Sequence, residues 1–404
     1  MRIAFLTTEF VSEPDFAGGL ANYLFRTCLA LKKSGHTPIV FVISSKNEIS
    51  TYRDVEVRRI RLHTPWWIKI LDRLTFKRLS YPLNMLSCSL TFSHAVRKAN
   101  KTAAIDIIQA SSYRAVNFFL TRAIPIVVRI SSFEPLLRKA YEKPLTVAQR
   151  MAEWFEAKAI IRAHAVFGPS QLIADYIQKT LKINVKIIET SFLLETLEFD
   201  TKPYLNNFEG KQYLLFFGTI GLLKGCKTIA DILHLLFLQN PGLFFAFIGR
   251  EESYQNRPMS EYIYRSAGDF HNRVLILPPL KHEALYPIIQ HAKGIILPSR
   301  IDNFPNTCLE AMHFGQIVVG TQEAGFEQII DNEKSGFLCA ADDGKSLLGT
   351  INKVLTLAPE KRTAMSENAR KRIAMLAPCI ITQQLAAFYE GVIKSFQQPG
   401  GEHR

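Results

Sequence analysis

The chain has 404 residues, of which 48% are hydrophobic and 21% are charged. This length exceeds what one hydrophobic core usually supports, so we expect two domains of roughly 200 residues. The composition excludes a disordered chain, and the net charge of +13 indicates anionic partners without identifying them. No apolar run approaches the roughly 20 residues of a spanning helix, so we expect a soluble protein, attached at most to a membrane face.

The cysteines and the first residues indicate a cytoplasmic protein. The six cysteines stand at 28, 88, 226, 308, 339 and 379, without a CxxC pair or a metal-ligand spacing. This pattern favours a reducing compartment. The apolar segment that starts at Ile3 is too short for a signal peptide and is better interpreted as a first strand.

Short apolar runs alternate with amphipathic stretches along the first half of the chain. This alternation is typical of a parallel sheet covered by helices. Helices are predicted at 20–33 and 145–163. Strands are predicted at 3–7, 38–43, 55–62, 105–109, 124–130, 165–167 and 185–188.

A loop with two glycines follows the first predicted strand. Gly18 and Gly19 immediately precede the first predicted helix. Glycines at this position let the backbone approach a phosphate, whose charge would face the positive end of the helix. A structural turn remains the alternative, because this loop is not a GxGxxG motif.

The segment 65–78 predicts an amphipathic helix with basic and aromatic residues. Lys69, Arg73 and Lys77 repeat every four positions, while Trp67, Leu71 and Leu74 form an apolar stripe. Such a face suits an anionic membrane surface, which would be consistent with a lipid-linked or surface polysaccharide acceptor. The alternative is a helix that packs on the core and exposes its basic side.

The pattern restarts in the second half, after an irregular stretch. We predict a first domain at 1–192, a linker at 193–210 and a second domain at 211–382. A C-terminal helix at 383–396 would pack back on the first domain, and 397–404 would be a tail. Strands of the second domain are predicted at 213–218, 243–249, 273–277, 294–297 and 317–320. The fold class is therefore α/β, with two Rossmann-like doubly wound domains facing a cleft.

The first strand of the second domain ends in a glycine-rich loop. Gly218 and Thr219 begin this loop, and Lys224 lies just before a predicted helix. A lysine at the carboxyl edge of a parallel sheet can neutralise a departing phosphate. A solvated lysine before a turn is the alternative.

The segment 302–310 places two carboxylates across a junction between a loop and a helix. Asp302 follows a buried strand, Asn306 or Thr307 is predicted to cap the helix, and Glu310 lies about one turn inside it. Free amides, a positive helix end and two carboxylates suit a sugar that is joined to a phosphate. An ordinary helix start at the surface is the alternative.

Together these motifs resemble the retaining GT-B glycosyltransferases of family four. Their signature of two acidic residues separated by seven positions is written here from Asp302 to Glu310. The resemblance is specific from Gly218 to Leu338 and weak in the middle of the first domain. Further matches are Ala311, Met312, Gly315, Val318, Val319, Gly325, Glu327, the 335–338 turn and strand, and the first-domain glycines Gly18 and Gly19.

The resemblance implies a role for each matched residue. Lys224 would bind the donor's diphosphate, Glu310 the nucleotide ribose and Asp302 the transferred sugar, with Lys224 and Asp302 as the catalytic pair. The substrates would be a sugar nucleotide and a glycan or lipid-linked acceptor in polysaccharide biosynthesis. Without an Asp-x-Asp motif, no metal and no other cofactor are expected. The backbone that would line the sugar and phosphate site belongs to Asn303, Phe304, Pro305, Asn306 and Thr307.

Three departures from the family pattern bear on activity. Thr219 stands where an arginine commonly pairs with the lysine, and Asp302 is one methylene shorter than the usual glutamate. The acceptor-side histidines are replaced within 108–112 and 129–134. If a base is used, Glu13 and Glu134 are the candidates, although a departing phosphate can also accept the proton.

Three alternative functions follow from these departures and from the composition. The first is a catalytically impaired relative that binds sugar nucleotides or glycans. The second is a sugar-nucleotide epimerase on the same architecture. The third, a nucleic-acid-binding protein, is not expected, because zinc-finger spacing, an RNP-like aromatic motif and an arginine-rich tail are all missing from the sequence.

Overall fold

The computed structural model describes residues 1–13, 19–131, 135–136, 138, 145–194 and 198–398. The chain forms two compact units. The first comprises the described residues of Met1–Ser191 and Ala377–Arg404, and the second comprises those of Phe192–Leu376.

The first unit contains a sheet of eight strands in the order β3-β4-β2-β1-β5-β6-β7-β8. All neighbours are parallel except β3, which pairs antiparallel with β4 at the edge. The central strands are almost wholly apolar and buried, as expected for a sheet covered on both faces. The strands are β1 (Arg2–Thr7), β2 (Thr37–Ser44), β3 (Glu48–Tyr52), β4 (Val55–Arg61), β5 (Ile107–Ser111), β6 (Ile126–Arg129), β7 (Ala165–Gly168) and β8 (Val185–Ile187).

Helices cover this sheet, and one of them begins at a strong local signal in the sequence. The helix Val147–Ile161 starts in a capping box, in which the Thr146 hydroxyl accepts from the Gln149 amide and the Gln149 side chain accepts from the Thr146 amide. The helices are α1 (Gly19–Lys33), α2 (Trp66–Leu74), α3 (Ser80–Thr102), α4 (Val147–Ile161), α5 (Gln171–Leu181) and α13 (Pro378–Gln397).

The C-terminal helix α13 completes the first unit. It contacts α1, and its Tyr389 is fully buried. The Tyr389 hydroxyl donates to the side-chain oxygen of Gln109 on β5. This buried polar contact attaches the end of the chain to the first sheet.

The second unit contains a parallel sheet of six strands in the order β13-β10-β9-β14-β15-β16. Its core is rich in phenylalanine, with Phe216, Phe245 and Phe247 fully buried. The strands are β9 (Gln212–Phe217), β10 (Leu243–Ile248), β13 (Val274–Leu277), β14 (Gly294–Ile296), β15 (Val318–Thr321) and β16 (Phe337–Cys339), with a small hairpin of β11 (Ser253–Tyr254) and β12 (Arg257–Pro258).

Helices alternate with these strands, as in other doubly wound sheets. The buried hydroxyl of Tyr213 on β9 donates to the Ile288 carbonyl at 2.6 Å, which ties one helix to the sheet. The helices are α6 (Lys202–Asn207), α7 (Cys226–Gln239), α8 (Met259–Ala267), α9 (His282–His291), α10 (Asn306–His313), α11 (Gly344–Leu355) and α12 (Pro359–Ala374).

Both sheets share one strand order. If the antiparallel edge strand β3 is set aside, the strands of each sheet run third, second, first, fourth, fifth and sixth in chain order, and a seventh strand, β8, extends the first sheet. The order reverses between β1 and β5 in the first unit and between β9 and β14 in the second. Ligands of doubly wound sheets bind at such reversals, beyond the carboxyl ends of the strands.

The predicted strands of both halves are observed, each with ends shifted by at most two residues. The sequence prediction did not include β3 or the long helix α3. Within 193–210, the predicted linker, the structure contains α6, and the C-terminal helix begins at Pro378 instead of 383.

Candidate functional site

Two loops meet at the strand reversal of the second unit. One follows β9 and runs from Gly218 to Gly225, and the other follows β14 and leads into α10. Between them the Lys224 ammonium lies 2.5 Å from a carboxylate oxygen of Asp302. The sequence separates these residues by 78 positions, and the sheet brings them together.

The Lys224–Asp302 pair contributes little to stability. The lysine side chain is 37% exposed and the aspartate side chain 18% exposed, so water screens the attraction. Exposed pairs of this kind typically contribute about 0–1 kcal/mol. A phosphate that approached the lysine could therefore replace the carboxylate at small cost.

Gly225 fixes the position of Lys224. Its φ is +75°, and a Cβ atom added there would lie 1.9 Å from the Pro298 carbonyl oxygen. The two loops are also joined by a hydrogen bond from the Arg300 amide to the Leu223 carbonyl at 2.9 Å. Backbone contact this close requires glycine, which places the lysine beside the loop that carries Asp302.

Asp302 is fixed from its other side by the loop after β15. Its amide donates to the Ala324 carbonyl at 2.9 Å. Gly325 has φ +89°, and a Cβ atom there would lie 2.1 Å from the Asp302 carbonyl oxygen. The two carboxyl-edge loops therefore hold the Asp302 backbone without using its carboxylate.

Gly218 faces the start of α10. A Cβ atom on Gly218 would lie 3.7 Å from the Thr307 methyl group, and its φ is +130°. Its amide donates to the Ile248 carbonyl at 2.9 Å, which joins the loops after β9 and β10. The small residue leaves the helix start open towards the lysine loop.

The predicted side-chain cap of α10 is wrong. Pro305 occupies the capping position, and its own side chain makes no capping hydrogen bond. Proline locks φ near its helical value, so the helix starts at Asn306 without a capping hydroxyl or amide. Its positive end is therefore not neutralised by a capping group of this kind.

The remaining predicted donor residues surround this helix start. Phe304 and Pro305 are buried, whereas Asn303, Thr307 and Glu310 are half-buried and Asn306 is exposed. Glu310 lies four positions after Asn306, one turn along the same helix face. Thr219 is half-buried in the loop after β9, near the start of the segment that carries Lys224.

Arg300 is a cation of this edge that the sequence analysis did not single out. It follows β14 by four residues, and its guanidinium Nε lies 2.9 Å from the Asp342 carboxylate. The residue was missed because a basic residue before Ile301-Asp302 has no distinctive spacing. Arg300 places a positive charge on the loop that carries Asp302, whereas Thr219, which stands where the family commonly has an arginine, is uncharged.

The reversal of the first unit carries Glu9 and Arg114. Glu9 lies two residues after β1, and Arg114 lies three residues after β5. Burial raises the pKa of Glu9 above its usual value of 4.5, and the positive charge of Arg114 partly opposes this rise. Glu9 was missed because no pattern distinguishes a single glutamate after a strand.

The loop after β5 has a backbone that few residues adopt. Arg114 and Ala115 have φ values of +62° and +48°. The Arg114 amide donates to a carboxylate oxygen of the buried Glu156 at 2.9 Å, which helps to hold this geometry. Non-glycine residues in this region of φ cluster at functional sites.

Of the two predicted acceptor-side bases, Glu13 and Glu134, the structure describes only the first. Glu13 is engaged in structure: its carboxylate lies 2.8 Å from the Arg59 guanidinium and accepts from the Ser44 hydroxyl at 2.7 Å. Glu134 lies outside the described residues, as does Gly18. Gly19 is exposed and begins α1.

Arg129, where the resemblance led us to expect a histidine, is an interior cation. It is buried, and its guanidinium lies 3.6 Å from the centre of the Tyr23 ring. It donates to the hydroxyls of Ser131 at 2.7 Å and Thr190 at 2.9 Å. Burial lowers the pKa of Arg129, and these contacts support the charge inside the unit.

Two family models match the chain in succession. The model described as Glycosyltransferase Family 4 matches residues 17–190, and the model described as Glycosyl transferases group 1 matches residues 199–372. The chain has the GT-B fold of these glycosyltransferases. The resemblance found in the sequence is therefore confirmed at the level of the fold.

Solved structures with this fold cover nearly the whole chain. Sucrose-phosphate synthase from Thermosynechococcus elongatus has a TM-score of 0.74 at 17% identity, covering 98% of this chain and 99% of that chain. The trehalose-6-phosphate structure from E. coli bound with UDP-2-fluoro glucose has a TM-score of 0.68 at 11% identity, covering 96% and 99%. Identities this low show a shared fold and do not show a shared substrate.

A curated relative supports the same class. Alpha-D-kanosaminyltransferase from Streptomyces kanamyceticus is 22% identical over 259 residues. The match covers 61% of this chain and 65% of the relative, so the chain spans slightly less than two thirds of that protein's length. The reaction of the present protein therefore has to be inferred from its own site.

Two further properties concern the described part of the chain. No helix there is both long and apolar enough to cross a membrane. Within the same residues, no three or more His, Cys, Asp and Glu side chains converge as metal ligands would. Independence from a metal remains a prediction from the missing Asp-x-Asp motif.

Proposed function

We propose that the protein transfers a sugar from a nucleotide-diphosphate sugar to a glycan or lipid-linked acceptor, with retention of the anomeric configuration. The observation that carries this proposal is the contact between Lys224 and Asp302 at the strand reversal of the second unit. A cation for the diphosphate and a carboxylate for the sugar meet there, and α10 begins four residues after Asp302.

The donor would use each of these groups. Its diphosphate would take the Lys224 ammonium and the backbone amides of Asn303, Phe304, Asn306 and Thr307, where the helix end favours negative charge; Pro305 has no N–H to donate. Asp302 would then accept hydrogen bonds from hydroxyls of the sugar. Glu310, one turn further along α10, would accept both hydroxyls of the ribose.

The reaction balances without an external acid or base. The bond from the anomeric carbon to the diphosphate oxygen breaks, and its electron pair leaves with the diphosphate. The acceptor oxygen bonds to the same face of the sugar, and its proton passes to the departing phosphate. Lys224 and the helix end stabilise the negative charge that develops on the diphosphate, and Asp302 lies near the positive charge on the sugar.

The missing arginine at position 219 has a partial substitute. Arg300 lies on the Asp302 loop, where its amide bonds to the Leu223 carbonyl, next to Lys224. Its charge adds to the positive potential at the diphosphate position although Asp342 pairs with it. This favours an active enzyme over a catalytically impaired relative.

We place the acceptor on the first unit, at the reversal between β1 and β5. Glu9 would accept a hydrogen bond from an acceptor hydroxyl there. The acceptor belongs to polysaccharide biosynthesis at the cytoplasmic face of a membrane. This assignment uses Glu9 to position the acceptor and assigns it no proton transfer.

A sugar-nucleotide panel tests the proposal. The full chain is incubated with UDP, GDP and ADP sugars, starting with UDP-glucose because a structure with this fold holds UDP-2-fluoro glucose. Thermal stabilisation reports binding, and release of the nucleoside diphosphate reports transfer or hydrolysis. The anomeric configuration of the product is then determined by NMR.

Lys224→Ala sharpens the test, with Lys227→Ala as its matched control. Lys227 lies three residues further on α7 and pairs with Asp231 at 2.5 Å, so its loss removes an equal charge from the same helix region. Lys224→Ala is expected to lower turnover at least tenfold, about 1.4 kcal/mol, and Lys227→Ala to leave it unchanged. Near-normal turnover in Lys224→Ala rules out the proposed site.

The rival functions give different results in the same assay. Binding without release of the nucleoside diphosphate supports the impaired relative, for which Thr219 is the motivating residue. Conversion of the donor sugar without any acceptor supports an epimerase. Either result contradicts the transferase proposal.

A further inference from the structure

Helix α2 and the turn that follows it expose large apolar side chains. Within α2, which is described throughout, Ile68 alone is buried. Trp66 is 72% exposed, Leu74 is 69% exposed and Phe76 is 86% exposed. We call this set the α2 surface; it comprises Trp66, Trp67, Ile70, Leu71, Leu74, Phe76 and Tyr81, all of them exposed.

This arrangement excludes the core-packing alternative for α2. A helix that packed on the core would bury its apolar stripe, whereas Trp67, Leu71 and Leu74 are exposed here. Scattered surface hydrophobics need no explanation, but seven large exposed apolar side chains within 16 positions indicate an interaction surface.

The turn after α2 is ordered and presents Phe76 outward. Phe76 and Lys77 have φ values of +48° and +60°, a backbone region that large side chains rarely adopt. Hydrogen bonds hold it: the Lys77 amide donates to the Asp72 carbonyl at 2.9 Å, and the Arg78 amide donates to the Thr75 carbonyl at 3.0 Å. The exposure of Phe76 is therefore built into the backbone.

The charges around the α2 surface are almost all positive. Lys69, Arg73, Lys77 and Arg78 are exposed. Asp72 is the one acidic residue in 65–81, and its carboxylate accepts from the Ser80 hydroxyl at 2.5 Å. The Asp72 carboxylate is thus engaged by a hydroxyl of the same segment, and four exposed cations lie among the apolar side chains.

We propose that the α2 surface docks on an anionic lipid membrane. Aromatic and aliphatic side chains beside lysine and arginine fit the boundary between acyl chains and headgroups, where a short helix lies in the plane. A second copy of this chain would instead bring like charges together, and a protein partner of core-like apolarity would not need four cations. The proposal does not depend on the transferase activity.

Vesicle co-sedimentation of the full chain tests this proposal. Binding is measured to phosphatidylcholine vesicles with and without about one third phosphatidylglycerol, at low and high salt. Partitioning is expected to be at least tenfold stronger on the anionic vesicles and to weaken as salt rises. Equal affinity for both vesicle types, or no binding to either, overturns the proposal.

Two variants separate the apolar and the charged contributions. Trp66→Ser with Phe76→Ser, and Lys69→Gln with Arg73→Gln and Lys77→Gln, are each expected to lower partitioning at least tenfold. Their thermal unfolding should match that of the parent, because these side chains are exposed. Unchanged partitioning in both variants places the membrane contact elsewhere and overturns the assignment.

Matched controls exist on other exposed positions. Leu235→Ser with Leu238→Ser removes two exposed apolar side chains from α7, and Arg97→Gln with Lys98→Gln and Lys101→Gln removes three exposed charges from α3. Both controls are expected to bind as the parent does. Sedimentation velocity adds a last check on self-association. If the parent is a dimer and the variant Trp66→Ser with Phe76→Ser is a monomer, the α2 surface is a self-association face, and the membrane proposal is overturned.

Discussion

The two sheets reverse their strand order in the same way, but the loops at their carboxyl edges are built from different groups. At the edge of the second unit, glycines at 218, 225 and 325 take positive φ and bring loop backbones into contact. At the edge of the first unit, the described loops after β1 and β5 instead present Arg114 and Ala115 at positive φ, together with polar side chains such as Glu9. Among the described residues, backbone contacts dominate the second edge and polar side chains the first.

This difference matches the two substrates that we propose. A diphosphate is common to all nucleotide-diphosphate sugars and can be held by backbone amides, one lysine and a helix end. An acceptor differs from one enzyme to another, so side chains such as Glu9 and Arg114 suit its recognition. The comparison predicts that the donor edge tolerates little backbone change and that the acceptor edge determines specificity.

The largest expected effect tests the contact between backbones at the donor edge. Gly225→Ala and Gly242→Ala both place a side chain at positive φ, +75° and +82°. A left-handed conformation alone should lower the free energy of unfolding by about 1–2 kcal/mol, and this is expected for Gly242, which has no atom within 4 Å of the added Cβ. At Gly225 the collision with Pro298 should add about 2 kcal/mol more.

Urea unfolding of the two glycine variants measures this difference, and donor binding is measured alongside it. Gly225→Ala should also weaken donor binding, whereas Gly242→Ala should not. Equal stability losses would show that the loops after β9 and β14 adjust to the added methyl group, so that the donor edge is not rigid.

The next effect concerns the nucleotide. Glu310→Ala is expected to lower kcat/KM for the donor at least tenfold, about 1.4 kcal/mol, because the ribose loses a charged hydrogen-bond acceptor. Glu261→Ala, on the exposed face of α8 and paired with Arg257, is the control. The measurement is steady-state kinetics with varied donor concentration. If both variants had the kcat/KM of the parent, Glu310 would not bind the ribose.

A smaller effect is expected at the acceptor edge, with a characteristic dependence on pH. Glu9→Gln should raise KM for the acceptor about fivefold, roughly 1 kcal/mol, and leave KM for the donor unchanged. In the parent, KM for the acceptor should fall as pH rises through the raised pKa of Glu9, because the ionised carboxylate is the better acceptor. This dependence should disappear in Glu9→Gln.

The direction of the pKa shift of Glu9 also predicts how the stability of Glu9→Gln depends on pH. A carboxyl group whose pKa is raised on folding is stabilised in its neutral form, so its ionisation disfavours the fold as pH rises through that value. Glu9→Gln should therefore be at least as stable as the parent at neutral pH, and the difference should vanish below about pH 4.5. Thermal unfolding across this range measures it.

Glu13→Gln is the contrasting control for Glu9. Its carboxylate pairs with Arg59 while both side chains are little exposed, so its loss should lower the melting temperature. It should leave KM for the acceptor unchanged. If Glu13→Gln raised that KM and Glu9→Gln did not, the acceptor site would have to be reassigned.

The smallest effect is expected from metal removal. EDTA should leave the rate of donor cleavage unchanged, because Lys224 and the start of α10 supply the charge that a cation would otherwise provide. Nucleoside diphosphate release with and without EDTA checks this. A rate restored by added Mg²⁺ or Mn²⁺ would contradict the prediction.

The sequence alone determined the alternation of strands and helices, and it predicted which residues form the donor site. Periodicity sufficed for the sheets because buried parallel strands are continuous apolar runs. Asp302, Glu310 and Lys224 were singled out because the motif has fixed spacing within short segments, and their roles towards a donor stay a prediction. The cap of α10 was predicted wrongly because a proline at 305 overrides the preference for Asn306 or Thr307.

Only the tertiary structure decided which residues meet. The contact of Lys224 with Asp302, the positions of Glu9 and Arg114, and the engagement of Glu13 with Arg59 each join segments far apart in the chain. Strand order places them, and strand order is not written in local periodicity. The exposure of the α2 surface was decided in the same way, since one amphipathic pattern serves both a core-packing helix and a docking helix until the neighbouring elements either cover its apolar side or leave it open.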